Sequence, residues 1–114
     1  MVNYNADHKA VLDDLLLDHP DVHPGKAFGY PAYYVGKKLS ICLFEQGVGL
    51  KVPQDLAEKL VAEDRNVIPF QPYGRRKMRE WIQINLEHSE GYREYMPVFE
   101  ASIHFVYTLG EKAE

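Results

Sequence analysis

Cysteine occurs once, tryptophan once, and no apolar run approaches the length needed to cross a bilayer. A lone Cys42 cannot close an internal disulfide, which points to a reducing, cytoplasmic setting. No charged start followed by an apolar stretch reads as an export signal. Also missing are a Gly-x-Ser-x-Gly elbow, a glycine-rich phosphate loop and a His-Glu-x-x-His pair, so no catalytic signature is present and the chain leans away from being an enzyme. Positive charge is in deficit, 13 Lys+Arg against 17 Asp+Glu, for a net charge of −4. That balance argues against a protein whose main work is coating nucleic acid.

What is there is enough apolar content for a core: 46% of 114 residues, with no repeat, low-complexity tract or linker, predicts one domain over residues 1–114. Val11, Leu12, Leu15 and Leu16 recur at helical spacing between Asn5 and Asp18, with Asp7 in the first turn, and His19-Pro20 ends that helix. Asp21 to Lys26, with Pro24 and Gly25, reads as a loop. It leads into an aromatic strand, Ala27–Val35, which Pro31 marks as an edge strand or as one interrupted by a bulge.

Leu39, Ile41 and Leu43 alternate with Ser40, Cys42 and Phe44 as a second strand, and Val48, Leu50 and Val52 form a third. Pro53 opens a helix to about Glu63, with Leu56, Leu60 and Val61 on its apolar stripe. Val67 to Gln71 is a short strand, and Gln71-Pro72-Tyr73-Gly74 suits a type I turn. Met78, Ile82, Ile84 and Leu86 then alternate with Arg79, Trp81, Gln83 and Asn85 as a fifth strand. A last helix runs from Ser89 to near Gly110; either it begins around Met96 with Pro97 in its first turn, or a longer helix kinks there. The prediction is an α+β, two-layer domain of order α-β(3)-α-β(2)-α, an antiparallel five-stranded sheet with its helices on one face.

Such a sheet sorts its side chains by alternation. With Leu39, Ile41, Leu43, Val48, Leu50, Val52, Ile82, Ile84 and Leu86 toward the helices, Cys42, Phe44, Lys51, Arg79, Trp81 and Gln83 share the other face. Exposed large aromatics mark a recognition or dimer surface, so Phe44, Lys51, Arg79 and Trp81 are candidate contacts for a protein partner or a second copy of the chain. The alternative is that a terminus or the Pro31 strand covers them. The basic run Arg75, Arg76, Lys77 and Arg79, beside Tyr73 and Trp81, could instead grip phosphates and stack bases, although a solvated hairpin tip has the same composition. A small-molecule site between the sheet and the terminal helix is a third reading.

Other chemistry is weakly signalled. His19 and His23 stand four apart, but Pro20 and Pro24 argue against the helix that would align them, so no metal or cofactor set is expected. His8, His88 and His104 are scattered, and Cys42 in mid-strand reads as an inert packing thiol.

Gly25-Lys26-Ala27-Phe28-Gly29-Tyr30, Gly36-Lys37-Lys38, Gly49-Leu50-Lys51-Val52-Pro53 and the run from Pro69 through Gly74 to Met78 and Trp81 together resemble the N-terminal domain of the TfoX/Sxy family over roughly residues 22 to 110. The YjbR-like proteins are similar more distantly. The resemblance implies an α+β fold without catalytic residues, in a family that includes regulators of natural competence and transcription. Those regulators carry a second, helical C-terminal domain, for which residues 1–114 leave no room on this reading. Ala27 stands where relatives commonly have methionine.

Overall fold

The computed structural model describes residues 3–72 and 78–112. The first helix, α1 (Ala6–Leu16), begins where Asn5 offers its side-chain oxygen to the N–H groups of Asp7 and His8, 2.9 and 3.1 Å away. That satisfies two of the donors every helix start leaves open. Val11, Leu12 and Leu16 are buried at the predicted spacing.

The next segment departs from expectation. Val22–Ala27 is a strand, β1, paired with β2 (Tyr30–Val35), so the sheet has six strands where five were predicted. Because β1 is an edge strand with four successive exposed residues, it shows no alternation to read, and an edge tolerates Pro24. Phe28 and Gly29, at φ of 57° and 84°, form the two-residue turn between them, the left-handed pair that a twisted hairpin favours. The Pro31 strand is therefore interior, not an edge. Its register with β3 ends at Ala32↔Cys42, so Pro31 lies beyond that ladder and costs it no hydrogen bond.

Strand β3 (Lys38–Phe44) carries a bulge. Tyr33 pairs with Ile41 and Tyr34 with Leu39, leaving Ser40 as the extra residue. The parity of the strand changes there: Leu39 joins Cys42 and Phe44, contrary to its predicted place with Ile41 and Leu43. Ser40 is buried with its hydroxyl 2.8 Å from that of Ser102 on the last helix.

After β4 (Gly47–Lys51), Pro53 leads into α2 (Gln54–Glu63), which buries Ala57 and half-buries Leu56, Leu60 and Val61. Strand β5 (Val67–Pro69) is shorter than predicted, as is β6 (Trp81–Ile84). The order in the antiparallel sheet is β1-β2-β3-β4-β6-β5, so β6 inserts between β4 and β5. The predicted turn at residues 71–74 lies partly outside the described residues. Ser89–Tyr95 is a 3-10 helix, and α3 (Met96–Lys112) follows with Pro97 in its first turn, the first of the two predicted alternatives.

Apolar side chains form two clusters. The larger joins Leu12 and Leu16 of α1, Ala57 of α2 and Phe99, Ile103 and Val106 of α3 to Ile41, Leu43, Val48, Leu50, Ile82 and Ile84 of the sheet. The alternate strand residues Tyr30, Ala32, Cys42 and Phe44 build the second together with Phe70, and Leu39, Met78 and Trp81 pack against it. Ile82 and Ile84 thus point into the first cluster and Trp81 into the second, as the alternation of β6 predicted.

Candidate functional site

The face expected to be open is largely closed. Phe44 is only 6% exposed, a correction to its predicted place on a solvent-facing surface. Tyr30, from the Pro31 strand, lies 5.0 Å from its ring centroid, and Phe70 meets it edge-on at 5.3 Å. Phe70 follows β5 and crosses above Gly49, whose missing side chain leaves room for the ring: a β-carbon there would stand 2.9 Å from it. A ring pressed this closely on bare backbone removes apolar surface from water, which is why the cluster closes.

Of the other predicted contacts, Lys51, Arg79 and Trp81 stay at the edge of this cluster. Lys51 and Trp81 are opposite each other in the β4–β6 register. The Lys51 ammonium sits 5.7 Å from the indole centroid and 3.5 Å from Glu80 Oε1, a cation held between a ring face and a carboxylate. Trp81 is half-buried, its ring 5.5 Å from Phe70, and Arg79 is exposed. A backbone hydrogen bond from Trp81 N–H to the Met78 carbonyl, 3.2 Å, closes the turn that aims these side chains. Arg75, Arg76 and Lys77 lie outside the described residues.

Beside Trp81 runs a groove of about 710 Å³. One wall is α2, through Gln54, Ala57, Glu58, Val61 and Ala62; the other is Pro69, Met78, Arg79, Trp81 and Ile82. It lies where the two clusters meet, since Ala57 and Ile82 belong to the first and Met78 and Trp81 to the second. The walls offer apolar surface, with an acid, Glu58, and a base, Arg79, at the exposed margins. Gln54 Nε2 donates to Glu58 Oε1 at 3.2 Å and steadies that carboxylate. Sequence pattern identified Arg79 and Trp81 but none of the α2 wall, because that wall arrives through the insertion of β6 beside β5.

Two of the histidines singled out from the sequence have local partners. His19 Nδ1 accepts from the Asp21 N–H at 3.1 Å, whereas His23 stacks on Tyr34 at 6.2 Å, so the two histidines act separately. Among the described residues no three His, Cys, Asp or Glu side chains converge as a metal set. Burial pushes the Cys42 thiol up to about 12, against a smaller opposing effect of the Gly49 backbone, so it is protonated near neutral pH. Burial likewise raises Tyr92 to about 12, and burial with the adjacent Asp13 carboxylate raises Tyr33. The Tyr33 hydroxyl donates to Asp13 Oδ1 at 2.5 Å, tying β2 to α1. No helix among the described residues is long and apolar enough to cross a membrane.

Comparison with protein-family models, with characterised proteins and with solved structures found no match.

Proposed function

We propose that this chain is a non-catalytic protein-interaction module, in keeping with its resemblance to the TfoX N-terminal domain, and that the groove between α2 and β6 receives an apolar side chain of a partner protein. The observation that carries this reading is the half-buried Trp81 indole forming, with Met78, Pro69 and Val61, the apolar part of a groove flanked by Glu58 and Arg79. Tryptophan, methionine and arginine are the residue types that most often anchor protein interfaces, and a groove bordered by both charges suits a peptide segment whose polar backbone and flanking side chains remain at the rim. The reading takes the domain as two-layered with helices on one face, which the single cluster shared by all three helices supports. A reducing, cytoplasmic setting is part of the proposal and rests on the single buried thiol.

Selection of a random linear-peptide library on the immobilised chain tests it. Enriched peptides are expected to share an apolar anchor and to shift the amide resonances of Ala57, Val61 and Ile82. Enrichment of peptides that bind elsewhere, or of none, would contradict the reading. A second reading, a small-molecule site in the same groove, is favoured by its volume, which falls within the range of ligand pockets. Nucleic acid gripped by Arg75, Arg76, Lys77 and Arg79 would instead appear as oligonucleotide binding that weakens steeply with salt.

A further inference from the structure

The two walls of the groove beside Trp81 differ in kind. On α2 the lining positions Gln54, Ala57, Glu58, Val61 and Ala62 repeat at i, i+3, i+4, i+7 and i+8, a single stripe of the helix, while Leu56 and Leu60 leave that stripe and pack on the first cluster. The stripe runs for about 12 Å, a little over two turns. Its small members, Ala57 and Ala62, let another element approach α2 closely, whereas Pro69, Met78 and Trp81 stand opposite with bulkier side chains.

A peptide entering here has its own backbone to satisfy. In extended form it would do so by adding to a sheet edge. The strand nearest the groove, β5, has three residues and ends at Pro69, which has no N–H to give, and the β5–β6 register stops at Pro69↔Ile82, one residue short of Trp81. The Trp81 N–H is already donated to the Met78 carbonyl at 3.2 Å, and the Glu80 carbonyl already accepts from the Val52 N–H at 2.9 Å. That leaves an added strand little to pair with among the described residues. An α-helix closes its hydrogen bonds within itself and presents side chains alone to the groove.

Resting on the reading of the groove as a peptide site, we propose that its occupant is a short amphipathic α-helix of the partner protein, lying along α2 with an apolar row at i, i+3 or i+4, and i+7 between the α2 stripe and Trp81. Such a row covers about 10 Å, close to the lined length of α2. The charges at the margins set what flanks it. Glu58 is exposed on the α2 side and Arg79 on the opposite side, and Arg79 makes no ion pair among the described residues. The partner helix accordingly carries Lys or Arg on the flank toward α2 and Asp or Glu on the other.

Selection of two linear-peptide libraries on the full chain tests the proposal, one patterned as amphipathic helices and the other alike but interrupted by proline. The helical library is expected to yield peptides with basic residues on one flank of the apolar row and acidic residues on the other. These should gain helical circular dichroism on binding and shift the Trp81 indole and the Ala57 and Ala62 amides. Exchanging the two flanks of an enriched peptide should weaken its binding about tenfold, as two rim ion pairs become repulsions, and the chain carrying both Glu58→Arg and Arg79→Glu should prefer the exchanged peptide. Both substituted residues are exposed, so the swap leaves the packing of α2 and β6 in place. Enrichment from the proline-interrupted library alone, with the same resonances shifted, would overturn the helix and keep the groove as a peptide site. Helical peptides indifferent to the exchange of flanks would contradict the proposed partner as well. No enrichment, peptides that shift neither wall, or a second copy of the chain covering Trp81 would overturn both the helix and the peptide site.

Discussion

Phe70 lies across the bare backbone of Gly49, so close that a β-carbon on the glycine would stand 2.9 Å from the ring. The contact seals the second cluster and explains why the face predicted to be open is covered. Gly49→Ala has to displace the ring or the strand, and should destabilise the chain by about 1–3 kcal/mol, the usual cost of overpacking. Phe70→Ala should cost about 3–5 kcal/mol, as deletion of a fully buried phenylalanine does. Urea unfolding measures both.

The Ser40–Ser102 pair at the β3 bulge gives a second prediction. Ser102 Oγ lies 2.8 Å from Ser40 Oγ and 3.2 Å from the Ser40 carbonyl, and both residues are fully buried. Ser102→Ala strands the Ser40 hydroxyl and should cost about 1–3 kcal/mol. The double variant Ser40→Ala with Ser102→Ala should regain part of that loss, because no hydroxyl is left unpaired; a double-variant loss equal to the sum of the two single losses would show that the hydroxyls do not depend on each other.

Cys42 is fully buried in the second cluster, and burial raises its thiol to about 12. Thiol reagents act on the thiolate, so modification in native buffer should follow the unfolding equilibrium and accelerate with urea in step with loss of structure. Rapid stoichiometric labelling of the folded chain would contradict the burial.

His8 sets a pH dependence. Burial lowers its affinity for protons below the ordinary 6.5, outweighing the Gln46 and Leu86 carbonyls and the Asp7 charge, which act the other way. The unfolded chain then binds the proton more tightly than the folded one, so this contribution is intact above pH 6.5 and is lost as pH falls from there toward the folded value. Thermal melts should show the wild type losing stability between neutral and mildly acidic pH, with a flatter profile for His8→Phe.

Periodicity reached those parts of the fold in which one strand or helix face meets the core. Val11, Leu12 and Leu16 of α1, Val48 and Leu50 of β4 and Ile82 and Ile84 of β6 are buried as their spacing implied. It failed where the pattern is silent or broken. Strand β1 is nearly all exposed and has no alternation, and the bulge at Ser40 reverses the parity of Leu39 without a glycine or proline to announce it. At the groove, Trp81 and Arg79 were legible from the alternation of residues 78–86 alone, whereas Glu58, Val61 and Pro69 become their neighbours only through the non-sequential place of β6 in the sheet. His8 resembled any helical histidine, since nothing local shows that Gln46 and Leu86 close over it.

The proposed recognition groove is tested most directly by following the indole N–H resonance of Trp81, the only tryptophan, during titration with a library-selected peptide. The account predicts a saturable shift of that resonance together with those of Ala57 and Ile82, abolished by Glu58→Arg or Arg79→Glu for peptides that bear the complementary charge. Saturable peptide binding that leaves the Trp81 indole unmoved would contradict it.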